Sequence, residues 1–214
     1  MSERDKEVTF SVINTGDQPA LIQLWIDNDQ IHERPEKINT PFVILPPIFK
    51  VGSNETRTVL VKRIDSSEGV TPNSELLYWL NVLEIPPKVT KFDNRNEMQM
   101  AIRTRVKLFF RPSLAEDYTT DQSIEKLTYE IITRNGDKLL RLLNKSPIHV
   151  TLLKVRTDSG IIYDSLQNDG LINPFSFIDI SLKNDETINS FEIYWVDDFG
   201  VIKVTKNDFI EHAP

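Results

Sequence analysis

The sequence predicts an all-β protein built as two consecutive β-sandwiches, and three features carry that expectation. Short alternating segments recur at regular spacing between Gly, Pro and Asn turns. No stretch of about a dozen residues holds a helical period, so no long helix is expected. Past Pro112 the composition turns polar and aperiodic over 113–122 before a second series of alternating segments begins. That stretch makes the best linker in the chain and divides it into domains of 1–113 and 114–214.

Taken in order, residues 7 to 13 alternate as a strand and Asn14 to Asp17 form a turn. Ala20 to Ile26 is a second strand, closed by the polar Asp27-Asn28-Asp29-Gln30. Residues 42 to 45 are apolar up to Pro46-Pro47, which breaks the ladder, and 50 to 55 read as a turn into a strand over 56–62. Leu76 to Ile85 is a rich strand ended by Pro86-Pro87, and a short charged loop, 88–97, follows.

The segment from Met98 to Pro112 is the most informative. Met98, Met100, Ile102, Thr104 and Val106 share one face, while Gln99, Arg103, Arg105 and Lys107 share the other. Four cations (Arg103, Arg105, Lys107, Arg111) lie within it, and Pro112, with no N–H to donate, stops the ladder. Two readings fit. One is a half-buried sandwich strand with a solvated basic face. The other is an edge strand whose apolar face is offered to another chain, with a lysine at the end of the groove.

The second half repeats the pattern. Leu127 to Thr133 reaches Asn135-Gly136, a hairpin signal, and Lys138 to Leu143 returns. Further strands are expected over 148–156, 160–163, 175–182, 190–196 and 201–205. At 39% hydrophobic and 27% charged, the 214 residues supply ample core. A formal net charge of −7 gives no reason to expect nucleic-acid binding, and no apolar run is long enough for a membrane span. The absence of cysteine rules out disulfides, thiolate nucleophiles and Cys-held metal.

Enzymatic chemistry has nothing to stand on. His32, His149 and His212 are scattered, so no metal site is expected. Asp27-Asn28-Asp29 opens like a calcium loop, but His32 stands where such a loop needs glycine. Asp197-Asp198 reads as a solvated turn, and no glycine-rich phosphate cradle or nucleophile elbow occurs. No cofactor is expected.

Four segments resemble the periplasmic chaperones of the chaperone–usher pathway, the PapD-like family, over nearly the whole chain. They are Glu75 to Pro87 with Asn81 and the closing Glu84-Ile85-Pro86-Pro87, Met98 to Pro112, Leu45 to Val51, and Tyr194 to Gly200. The resemblance implies two immunoglobulin-like domains set at an angle with a cleft between them, and a chaperone that folds pilus subunits and delivers them to an outer-membrane usher. A pilin subunit in such a system lacks its last strand, and the chaperone lends one of its own. By position, Met98, Met100 and Ile102 belong to that donor strand. Lys107 matches the lysine that holds the subunit's C-terminal carboxylate. It has the opposite parity to Met98, Met100 and Ile102, so a twist or bulge is expected before it. Glu75, Arg111 and Asp198 match an interdomain ion cluster, the first two from domain one.

The sequence also departs from the family. The family begins with a further strand carrying an arginine that partners the cleft lysine, and no residue upstream of Glu7 fills that role here. With no apolar leader either, the chain is read as starting inside a longer product or as a truncated member. Leu76 replaces a small polar residue, and the short loop 88–97 matches the subgroup that assembles rod-like pili. The resulting expectation is a periplasmic, non-enzymatic chaperone that binds pilin subunits and the usher, does not bind nucleic acid and is not inserted in the membrane. The alternative is a two-domain β-sandwich adhesin or structural surface protein.

Overall fold

Alternating sequence becomes strand at nearly every expected place in the computed structural model, which describes residues 1–64, 72–87, 98, 100–183 and 186–209. By contacts the chain falls into two units, Met1–Pro72 with Leu76–Ser113, and Asn73–Glu75 with Leu114–Pro214. Both are antiparallel β-sandwiches.

Unit 1 holds β1 (Glu7–Ile13), β2 (Ala20–Asp27), β3 (Phe42–Leu45), β4 (Ile48–Val51), β5 (Thr56–Arg63), β6 (Leu76–Ile85) and β7 (Ile102–Phe110). One sheet runs β1-β5-β3 and the other β4-β2-β6-β7. Inward side chains of β2 (Ala20, Ile22, Leu24, Ile26) pack with Phe42, Ile44, Val59, Val61 and Phe110 into one core. The double proline does more than break a ladder. Strand β3 ends at Leu45 in one sheet and β4 begins at Ile48 in the other, so Pro46-Pro47 is where the chain changes sheets. Pro47 keeps its carbonyl in use, accepting from Leu24 N at 2.7 Å. The turn expected over 50–55 therefore starts later, because Val51 is buried in the core as the last residue of β4. Leu76, which departs from the family pattern, packs against the same core.

Unit 2 holds β8 (Thr128–Arg134), β9 (Asp137–Leu143), β10 (Val150–Thr157), β11 (Ile162–Tyr163), β12 (Leu171–Ile172), β13 (Phe177–Ser181), β14 (Ser190–Val196) and β15 (Ile202–Asp208). Its sheets run β13-β9-β8 and β11-β10-β14-β15, with β12 also on β10. Leu140, Leu142, Val150, Leu152, Phe191, Ile193 and Trp195 form its centre. The hairpin signal is borne out: Asn135 and Gly136 both have positive φ, and Arg134 pairs with Asp137 across them.

The polar stretch after Pro112 is more ordered than its composition suggests. It leads into α1 (Thr120–Glu125), whose start is closed by a capping box: Thr119 Oγ1 accepts from Gln122 N, and Gln122 Oε1 accepts from Thr119 N. Ile124 and Ser123 are buried. A helix of six residues is too short to show a period, so hydrophobic patterning missed it.

Gly170 and Gly136 give a paired test of backbone constraint. A Cβ at Gly170 would lie 1.9 Å from Leu152 O, with φ at +73°, whereas at Gly136 the space is open and only φ is positive. Gly170→Ala is expected to cost about 3 kcal/mol or more, and Gly136→Ala about 1 kcal/mol. Urea denaturation of both variants, read by hydrogen exchange in β10 and β14, checks the difference.

Candidate functional site

Among the described residues, strand β7 closes the sheet β4-β2-β6-β7 at one edge and pairs laddered with β6 alone. Among the described residues, its far side is bridged at the C-terminal end, where Ser2 pairs with Arg111 in parallel. There Met1 O accepts from Arg111 N at 3.0 Å and Glu3 N donates to Arg111 O at 2.8 Å.

The register with β6 is continuous from Glu84↔Ile102 to Leu76↔Phe110. Even-numbered residues of β7 therefore all face the sandwich interior. Phe110 is buried there, and Leu108 packs against the core. Further up the strand, residues of the same parity lose that cover. Val106 is 49% exposed, Ile102 56%, and Met100 and Met98, just before the strand, 62% and 85%. Their row borders a groove of about 380 Å³ whose lining mixes apolar side chains (Val12, Ile22, Val82, Ile102) with polar ones (Asn14, Glu84). Apolar side chains in core register on an edge strand are what strand addition by another chain requires.

The opposite face of β7 carries Arg103, Arg105 and Lys107, beside Leu83, Asn81 and Trp79. Asp27, at the end of β2, is fully buried among them. Its Oδ1 accepts from Arg105 Nη2 at 2.7 Å, and its Oδ2 accepts from Asn81 Nδ2 at 2.7 Å and from Arg103 Nη2 at 3.4 Å. Asn81 Oδ1 in turn accepts from Arg103 Nε at 2.9 Å and Nη2 at 2.7 Å, while Arg103 Nη1 donates to Ile31 O at 2.7 Å. The guanidinium carbons of Arg103 and Arg105 lie 4.9 and 4.5 Å from the ring centroids of Trp25 and Trp79. A buried carboxylate thus has its charge balanced by two stacked guanidinium groups. Sequence reasoning took Asp27 for a turn residue. Trp25 and Asp27 share a parity, as do Arg103 and Arg105, but only the strand order reveals that the two pairs converge.

Lys107 lies on this outer face. The expected bulge before it is absent, since Leu108 and Phe110 continue the parity of Ile102 into the core without a register shift. The lysine and the apolar row therefore belong to opposite faces of the same strand.

The three residues of the expected ion cluster occupy defined places in their own units. Glu75 counts with unit 2, donating its N–H to Pro147 O at 2.7 Å; its Oε1 accepts from His149 N at 2.9 Å and lies 2.8 Å from His149 Nδ1. Asp198 Oδ2 accepts from Thr120 N at 2.9 Å, at the start of α1. Arg111, in unit 1, holds the backbone of Met1 and Glu3. The loop 88–97, on which the short-loop expectation rests, lies outside the described residues, as does Gln99.

Fold and site together define a protein of two immunoglobulin-like sandwiches whose first domain presents an open, apolar edge strand. Residues 1–115 match the family described as pili and flagellar-assembly chaperone, PapD N-terminal domain, and 122–206 match the pili assembly chaperone PapD C-terminal domain. The chain belongs to the PapD family of pilus-assembly chaperones. It is 36% identical over 158 residues to the chaperone protein MrkB of Klebsiella pneumoniae, a match spanning 73% of this chain and 65% of that protein. With FimB/FhaD of Bordetella pertussis, a chaperone protein, identity is 30% over 91% of this chain and 78% of the relative. The crystal structure of the Pseudomonas aeruginosa CupB2 chaperone superposes with a TM-score of 0.76 at 25% identity, covering 97% of this chain and 95% of that one.

If the row on β7 serves another molecule and not this one, polar replacement there leaves the fold intact. Met100→Thr and Ile102→Thr are each expected to change unfolding free energy by less than about 0.5 kcal/mol, the usual range for exposed positions. Thermal and urea unfolding of the two variants measures this directly.

Proposed function

We propose that this chaperone works in the periplasm, capturing pilin subunits that lack their final strand, completing them with β7 and passing them to an outer-membrane usher. The exposure of Ile102 and Val106 on the core-facing side of an edge strand, with Met98 and Met100 exposed just before it, is the observation that carries this reading. A subunit strand hydrogen-bonded to the free side of β7 would cover that row with its own open core. Burying each of these side chains fully is worth about 1.5–3 kcal/mol, before the cost of ordering the partner. No ATP enters, because a strand supplied by the next subunit replaces β7 by packing better.

Lys107 is the proposed anchor for the subunit's C-terminal carboxylate. A charge-assisted contact at one point along the strand fixes register, since a slip by one residue would turn the apolar set outward. Family membership supports this role for Lys107, and likewise supports an ion cluster of Glu75, Arg111 and Asp198. A purely structural or adhesive role is less well supported: it gives no reason to leave core-facing side chains uncovered. The family's role is chaperoning, so no catalytic residue is assigned.

Co-expression with a fimbrial subunit from the same genome, followed by co-purification, tests the reading. Met100→Asp and Ile102→Asp are each expected to lower recovered complex at least about tenfold, since a carboxylate would be carried into the subunit's open core. Lys107→Ala should lower it too, and amidating the subunit's C-terminus should remove the difference between Lys107→Ala and wild type. Full recovery with both aspartate variants would reject strand donation by β7.

A further inference from the structure

Buried charge on the outer face of the β7 sheet has no part in the chemistry proposed for the apolar row, yet it converges on that row from behind. Arg103 and Arg105 flank Thr104, in the middle of the exposed stripe, and both reach the single carboxylate of Asp27. Asn81 on the neighbouring strand β6 ties Arg103 to the same group, and Arg103 also grips Ile31 O in the chain beyond β2. All these bonds lie on the face opposite Ile102, Thr104 and Val106. They therefore do not cover the stripe.

An edge strand with one laddered neighbour opens more readily than a central one. For most proteins that matters little, but a strand offered to a second chain must keep its register while new bonds form along its other side. A slip by one residue would turn Arg103 and Arg105 into the groove and the apolar row out of it. Two guanidinium groups fastened to one buried carboxylate oppose that slip. They can leave it only by stranding a charge in the interior.

We propose that Asp27 is a positioning residue for strand donation: through Arg103 and Arg105 it locks β7 in the single register that presents Met100, Ile102 and Val106 to a partner. The inference rests on β7 being the donated strand, and its test separates the two ideas. Full-length wild type, Asp27→Asn, Asp27→Glu and a control, Val59→Ala, are compared. Val59 is fully buried in the core on β5, and its truncation lowers global stability without touching the clamp. Two quantities are read: residue-level hydrogen exchange, and the rate at which each chain captures a denatured fimbrial subunit from the same genome.

Asp27→Asn is expected to speed exchange across 102–106 by at least about tenfold, as the loss of one charge-assisted hydrogen bond implies. Exchange in unit 2 should stay unchanged, and capture should slow in step with β7. Asp27→Glu should recover most of both effects, and Val59→Ala should leave β7 exchange and capture close to wild type. Should Asp27→Asn fail to fold, Arg103→Gln, which keeps the Arg105–Asp27 pair, is expected to shift both readouts the same way by a smaller factor. Capture at the wild-type rate by a chain with loosened β7 overturns the positioning role while leaving strand donation intact. So does equal loss of capture in Val59→Ala. A wild-type chain that captures no subunit overturns both.

Discussion

One strand in this protein belongs to a core along only half its length. Leu108 and Phe110 on β7 pack into the interior of unit 1, while Ile102, Thr104 and Val106, in unbroken register with them, face the same way but stay exposed beside an open groove. Alternation in a strand is strict, so side chains of one parity cannot turn away from the side to which the pleat commits them. The uncovered half is therefore an interior without walls. A monomeric sandwich would ordinarily cover, shorten or charge such an edge.

The charge is present, but on the other face. Arg103, Arg105 and Lys107 lie behind the apolar row, and the first two are drawn onto Trp25, Trp79 and the buried Asp27. The two faces of β7 thus have separate duties: one remains open to a partner, and the other fastens the strand to β6 and β2. The fastening is made by side chains, so it does not itself use the outward backbone groups of β7. An edge guarded by lysines or proline within the exposed row could not have served this way.

The second unit shows the opposite economy. Its core draws on both sheets, its hairpin turns at Asn135-Gly136, and its short helix starts at a reciprocal cap. Asp197 and Asp198, which read as solvated turn acids, each hold backbone: Asp197 accepts from Phe199 and Val201 within its own turn, and Asp198 accepts from Thr120 N, 78 residues away beside α1. Such bonds stabilise turns between strands and give no sign of acid–base chemistry.

The sequence alone determined the all-β class, most strand positions, the apolar parity of Met98, Met100 and Ile102, and the family, because period-two alternation and motif spacing are local properties of the chain. It also misjudged local features too short to show a period, α1 being the example. Tertiary structure decided whether the row on β7 was covered, that no bulge separates it from Lys107, and that Asp27 is the buried partner of two arginines some 75 residues away. Those facts depend on which strands are neighbours and in what register. The physical reason is that exposure and charge pairing arise between distant segments, and no pattern within either segment records the other.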